Sequence, residues 1–373
     1  MKRTVKTLVM ITLVIAIIFP LATPVQAAGS WKNSWVFCVH RDTTLYVGQL
    51  RESAGSASGG KAGVYGTTLS FKSSNSKVVT VDENDMLVAK KVGTATITAT
   101  DGMYKDSYKV TVKDPKKTKK VVLNYADGAD LEYGKTYTLK SLNGSSVKKI
   151  VCTSYEEDVT IKGNKITLHP KHSKVVYFLV TLKDGRSTEV TYCCDGKEYL
   201  EAVSIIEKAA AEAGISKSST DLEKAMFAYN WLGENCSYSR KYGKPGYYYA
   251  IREGKGDCDV YAEGVELIGE VIGLTVIRIE TDTHAFNGVR VDGEWYVMDT
   301  TQCEAWDFAV GGGCFLLSYE EATEGGGRKF VISSKSEIKP EFTSTKYDDS
   351  KVFSQWKDNY EDPLDDDYWN SFL

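Results

Sequence analysis

The dipeptide Asp292-Gly293 stands between two alternating runs, residues 284–291 and 294–299. Asp-Gly flanked by such runs is the strongest short signal for a β-hairpin, and a two-residue turn fixes which positions face one another. Val291 then faces Glu294, and His284 faces Thr301. Asp299 falls on the same face, diagonal to His284, about 7–8 Å away by backbone and within reach of a hydrogen bond. An odd-length turn would put the two on opposite faces. The alternation agrees: Phe286 goes with Trp295 and Val297, while Val289 and Val291 go with Tyr296 and Met298.

Upstream lies Gly254-Lys255-Gly256-Asp257-Cys258-Asp259-Val260-Tyr261-Ala262. After the glycines the pattern turns helical, with Tyr261, Val265, Ile268 and Ile272 at four- and three-residue steps and Gly273 closing the run. Cys258 falls on the buried stripe in the first turn, where unpaired N–H groups and the helix dipole favour a thiolate. Such thiols commonly drop from about 8.5 toward roughly 4–7 beside a histidinium. Residues 274–280 alternate and are rich in β-branched types, hence a strand. Of four histidines, His40, His169 and His172 precede residue 173, so His284 is the one candidate base in the C-terminal part. Thiol, imidazole and carboxylate are the parts of a nucleophilic acyl-transfer site.

Residues 222–320 resemble the transglutaminase-like (papain-related) superfamily. The resemblance rests on Trp231, Asn235 and Tyr238, on Gly256-Asp257-Cys258-Asp259-Val260-Tyr261-Ala262, on His284-Ala285-Phe286-Asn287, and on Trp295-Tyr296-Val297-Met298-Asp299. Cys314 to Ser318 is similar to a later strand of such domains. Phe286 replaces the usual Trp, and Thr300 stands where Pro commonly follows. The resemblance implies an α+β domain with Cys258 as nucleophile, His284 as base and then acid, and Asp299 orienting the imidazole. It also implies an oxyanion site made by the Cys258 N–H and one upstream donor, worth a few kcal/mol. Trp231, Asn235 and Tyr238 are candidates for that donor, and each also suits ordinary packing. Tyr242, Tyr247, Tyr248 and Tyr249 alternate with glycine and proline just ahead of the nucleophile. They suit a wall of a groove for an extended peptide or glycan, and equally suit packing.

At 373 residues the chain exceeds one ordinary domain. Residues 1–27 read as a secretory signal: Lys2, Arg3 and Lys6, an apolar run over 8–19, and Val25-Gln26-Ala27 at the cleavage site. The apolar run is too short to span a membrane and Pro20 interrupts it, so a secreted or extracellular protein without a membrane anchor is expected. Cleavage would take the formal net charge from −4 to about −7, which disfavours nucleic acid as a partner. Residues 28–114 alternate as strands, among them Ser70 to Asn75, Val78 to Asp82 and Gly93 to Thr100. They resemble bacterial Ig-like domains of group 2, although Asp85-Met86 stands where glycine is more usual. That resemblance implies a β-sandwich that spaces or attaches, with a cell-surface or cell-wall ligand as an expected partner and no chemistry of its own.

The basic stretch Asp114 to Lys120 reads as a solvated hinge. Residues 121–194 read as a second small β-domain with a hairpin at Lys183-Asp184-Gly185-Arg186. Residues 197–373 form the catalytic domain, opening with helices near 197–213 and 220–234. The second of these starts with a Thr220/Glu223 capping box and carries the stripe Leu222, Met226, Tyr229 and Leu232.

Eight cysteines include the nucleophile, and the seven others cannot all pair. Cys303 and Cys314, flanking a glycine-rich loop, are the first pair to consider; adjacent Cys193 and Cys194 are poorly placed for bridging. The residue spacings resemble no zinc site, calcium loop or nucleotide fingerprint, so neither metal nor cofactor is expected. The expected activity is acyl transfer at an amide of a peptide or protein, through a thioester on Cys258. Peptidase or amidase action is favoured over protein cross-linking by a transglutaminase. A surface-binding protein whose three site residues are idle is the reading from another class.

Overall fold

The computed structural model describes residues 36–37, 43–52, 56–59, 62–65, 69–82, 85–101, 105–239, 246–280, 284–302, 314–318, 322 and 343–347. The expected signal segment, Tyr242, Cys303 and the acidic tail from Asp348 lie outside these residues. The chain forms two compact units, one of Met1–Ala57 with Thr68–Glu201 and one of Ser58–Thr67 with Ala202–Leu373. No helix among the described residues is long and apolar enough to cross a membrane.

The first unit is β-rich and contains two modules. In the first, Thr43–Tyr46, Lys105–Lys113, Gly93–Thr100 and Ser70–Ser73 make one sheet in that order, and Leu50–Glu52, Met86–Ala89 and Val79–Val81 make another. The alternation in 93–100 turns Ala95, Ile97 and Ala99 inward, where they share a core with Leu45, Leu87 and Val110. Asp85 takes a left-handed φ of 56°, the conformation that makes glycine usual at this position and that Asp tolerates.

The second module has two sheets as well, around Leu139, Ile166, Val176, Phe178, Val180 and Tyr192. Its hairpin at 183–186 forms as the turn residues dictate, with Leu182 N–H donating to Arg186 O at 2.8 Å and Gly185 at φ 89°. The stretch expected as a hinge is instead ordered. Asp114 Oδ1 accepts from Lys116 N–H at 2.9 Å, capping a 3₁₀ turn over Pro115–Lys117 whose proline is buried. Beyond it the two modules are laced by Leu50 N–H to Asn124 O at 2.9 Å and by Gln49 Nε2–H to Leu123 O at 3.0 Å. Buried main-chain groups require such partners, and these hydrogen bonds remove the freedom a hinge would need.

Helix α1 spans Lys197–Glu212 and α2 spans Asp221–Asn235. The capping box of α2 is present in both directions, Glu223 N–H to Thr220 Oγ1 at 3.2 Å and Thr220 N–H to Glu223 Oε2 at 2.7 Å. Its buried face is wider than the expected stripe: Ala225, Phe227 and Ala228 join Tyr229 and Leu232, while Leu222 and Met226 are half-buried. Lys224 is buried too, because its ammonium donates to the carbonyls of Lys217 and Gly273 at 3.0 and 3.2 Å. Helix α3, Cys258–Ile272, is apolar on most sides and correspondingly buried, with Gly273 left-handed at its end.

One antiparallel sheet backs this helix. In spatial order it contains β1 (Ala62–Tyr65), β2 (Thr275–Glu280), β3 (Ala285–Val291), β4 (Glu294–Asp299) and β5 (Cys314–Leu317). Strand β1 comes from within the region expected to form the first domain. It pairs with β2 at Tyr65–Val276 and Val64–Ile277, which is why residues 58–67 group with the second unit. A strand in this place covers backbone groups of β2 that would otherwise form an open edge, and Ser58 and Gly59 pair on its far side.

Candidate active site

The turn between β3 and β4 decides the site. Asp292 and Gly293 both take left-handed conformations, φ 51° and 85°, as a two-residue hairpin turn requires. Val291 pairs with Glu294 and Asn287 with Met298, the register read from the sequence. Continued past the strand ends, it sets His284 and Asp299 on one face, and His284 Nε2 lies 2.7 Å from Asp299 Oδ2. The carboxylate is buried, and its other oxygen accepts from Thr301 N–H at 3.1 Å and Thr301 Oγ–H at 2.5 Å. Both oxygens are therefore held. Phe286 stacks on the imidazole, ring centroids 5.9 Å apart and 26° between planes.

Cys258 opens α3 and is half-buried. Asp257 caps the helix through Val260 N–H at 3.4 Å. The N–H of Ala285, the residue after His284, is near enough to the Cys258 sulfur to favour its thiolate. The thiol does not show the depression that helix starts commonly confer. Burial pushes it above the ordinary value, and the charges of Asp259 and Asp257 add to the rise against the helping Ala285 N–H. Burial likewise raises the Asp257 carboxyl. Ligand atoms of Asp257, Cys258 and Asp259 lie within 4.8 Å of one another, the one such grouping among the described residues. Asp257 is already engaged there as the helix cap.

The upstream candidates separate. Trp231 and Asn235 sit in the last turn of α2, where Asn235 Nδ2–H donates to Trp231 O at 2.7 Å and so serves the helix end. Tyr238 is drawn toward the nucleophile. Its short strand, Ser237–Tyr238, pairs in parallel with Lys255–Gly256, Tyr238 matched to Gly256, and its side chain is 48% exposed. Tyr248 is buried, with Arg252 over its ring at 5.0 Å, while Tyr247 and Tyr249 are half-exposed. The tyrosine segment thus divides into one packing residue and two that reach solvent. Cys314 is buried in β5.

The sequence reading missed several residues. Asp257 carried a signal, since an aspartate just before an apolar periodic run marks a helix cap. Thr301, two residues past Asp299, offered a local hydroxyl that sequence can place, whereas the roles of Asn287 and of the ion pair of Arg278 with Glu266, at 3.1 and 3.0 Å, carried no signal because they depend on contacts between separate elements.

Residues 208–300 match the Transglutaminase-like superfamily. That match takes in Cys258, His284 and Asp299 and ends before β5. The matched residues contain helices α2 and α3 and strands β2–β4. No curated protein matches this chain. Among solved structures, similarity extends to the S-layer protein rSbsC(31-844), at 18% identity over 35% of this chain and 20% of that one, TM-score 0.15. It extends also to domains 5-6 of the S-layer protein SbsC, at 12% identity over 43% and 97%, TM-score 0.27. Tandem Ig repeats of Dlar align at 13% identity over 43% and 97%, TM-score 0.19. The chain spans only a fifth of the first of these proteins.

Proposed function

We propose that the chain is an exported cysteine-nucleophile enzyme that hydrolyses amide bonds of peptides or proteins through a thioester on Cys258. The observation that carries this reading is the orientation of His284. Its Nε2 is held by the buried Asp299, which in this reading assigns Nδ1 to the sulfur, and the N–H of the next residue lies near enough to Cys258 to favour its thiolate.

In this reading the thiol is neutral at rest. His284 Nδ1 takes its proton as the sulfur attacks the carbonyl carbon, and the imidazolium, stabilised by Asp299, returns that proton to the departing amine. The tetrahedral oxyanion is held by the Cys258 N–H and a donor from the 237–239 segment, with Tyr238 as the candidate its strand pairing favours. Water then attacks the thioester, releasing the acid and restoring the thiol. Partial exposure of Cys258 supports water as the resolving nucleophile. The β-rich first unit is proposed to be Ig-like and to space or attach the enzyme at a cell surface.

The test is intact-protein mass spectrometry of the chain incubated with peptide amides, with and without an added primary amine. An acyl adduct on Cys258, absent in Cys258→Ala and in His284→Ala, and resolved by water, is the expected result. Transfer of the acyl group to the amine in preference to water would replace hydrolysis by cross-linking. No adduct faster than in His284→Ala would mean an idle site and would overturn the reading.

A further inference from the structure

Asn287 is 1% exposed in the apolar layer between α3 and the sheet. Its amide nitrogen donates to two carbonyls on different elements, Ala262 O of α3 at 3.2 Å and Ile277 O of β2 at 3.4 Å. Both partners are acceptors, so the orientation of the amide is settled. Its oxygen has no hydrogen-bond partner among the described residues. A buried, unsatisfied carbonyl oxygen lowers stability, and an apolar side chain of the same shape would avoid that cost. Stability alone therefore does not explain an asparagine here.

Geometry does. Cys258 and Ala262 are one helical step of four residues apart, about 6 Å along the axis. Ala285 and Asn287 are one strand repeat apart, about 6.7 Å. A hydrogen bond from Asn287 to Ala262 O joins these matched pitches, and the Ala285 N–H lies near the Cys258 sulfur. A second rung lies four residues further along the helix. Glu266 takes a two-pronged ion pair from Arg278, which is the direct cross-strand partner of Asn287. Apolar packing between helix and sheet tolerates sliding, whereas directional bonds to one particular carbonyl do not. A slip of one helical turn would carry the sulfur about 5.4 Å along the axis.

We infer that Asn287 is a positioning residue: it locks the register of the Cys258 helix against the strand that begins beside His284. The inference rests on the pairing of Cys258 with His284 proposed above. Its role is to hold the thiol within reach of the imidazole, and it touches neither substrate nor the reacting atoms.

The experiment measures iodoacetamide alkylation of Cys258 against pH in the full chain, with and without His284→Ala, in the native protein and in Asn287→Leu. In the native protein the rate near neutral pH should depend on His284 by about 100-fold. In Asn287→Leu that dependence should shrink at least about tenfold and the profile should approach that of a lone buried thiol, with far-ultraviolet circular dichroism unchanged. Asn287→Ser keeps one donor and should fall between; it replaces the leucine variant should that one fail to fold. A melting temperature that shifts while the dependence on His284 stays at its native size would overturn the positioning role and leave the enzyme reading standing. No dependence on His284 in the native protein would overturn both.

Discussion

Asp299 meets His284 through one carboxylate oxygen and Thr301 through the other, so the orientation of the imidazole rests on a residue two places further along the chain. The two-residue turn between β3 and β4, with both residues left-handed, gives this register.

Asp299→Asn tests that arrangement. With Thr301 N–H holding the amide oxygen, the amide presents NH₂ to His284 Nε2. The ring must then carry its proton on Nδ1 and can no longer take one from the thiol. Turnover of a peptide amide should fall about 10³–10⁴-fold with the melting temperature little changed. Retention of more than a tenth of the activity would remove Asp299 from the proposed mechanism.

Asp259 sits beside the thiol and raises it, after burial, which is the larger cause. In His284→Ala, where the thiol stands without its base, alkylation of Cys258 should therefore turn on at higher pH than for an ordinary cysteine. Asp259→Asn should move the inflection toward lower pH, because one anion opposing the thiolate is gone. A shift the other way would show that Asp259 acts through some route other than its charge.

Alkaline pH should weaken the second β-module. Burial holds the Cys152 and Cys194 thiols and the Tyr192 hydroxyl above their ordinary values. Groups raised in the folded state stabilise it below their unfolded values, and that contribution drains away as pH rises past about 8.5 for thiols and 10 for tyrosine. The urea midpoint of unfolding should be lower at pH 10 than at pH 7, and less so in Cys194→Ala. An unchanged midpoint would contradict the assignment of buried, neutral groups.

Gly256 has no room for a side chain: a Cβ there would stand 2.0 Å from Val260 Cγ1, in the first turn of α3. Gly256→Ala should cost about 1–3 kcal/mol by overpacking and should slow acyl-adduct formation on Cys258 more than it lowers stability. Adding Val260→Ala should recover much of both, which calorimetry and adduct kinetics can follow together.

Much of the local geometry around the candidate site was legible because its residues obey local rules. The Asp292-Gly293 turn, the Thr220–Glu223 box and the stripe ending at Gly273 each specify geometry within a few residues. The thiol's direction of shift was misjudged, since a helix start favours the thiolate while burial and two flanking aspartates oppose it, and burial cannot be read locally. Asn287 and the Arg278–Glu266 pair were invisible for the same reason: their partners are distant in sequence. The ordered turn at Pro115 escaped notice because the lysines around it suggested solvent, whereas Asp114 caps it and its proline is buried.

Strand β1 has a consequence for the order in which the chain matures. It emerges early in synthesis, yet the strand it pairs with, β2, lies roughly 200 residues later. A growing chain thus carries Ala62–Tyr65 without their β2 partner while the modules around them assemble, and closes this part of the sheet only after β2 is made. Completion of the sheet behind the thiol therefore waits on segments made long after its first strand.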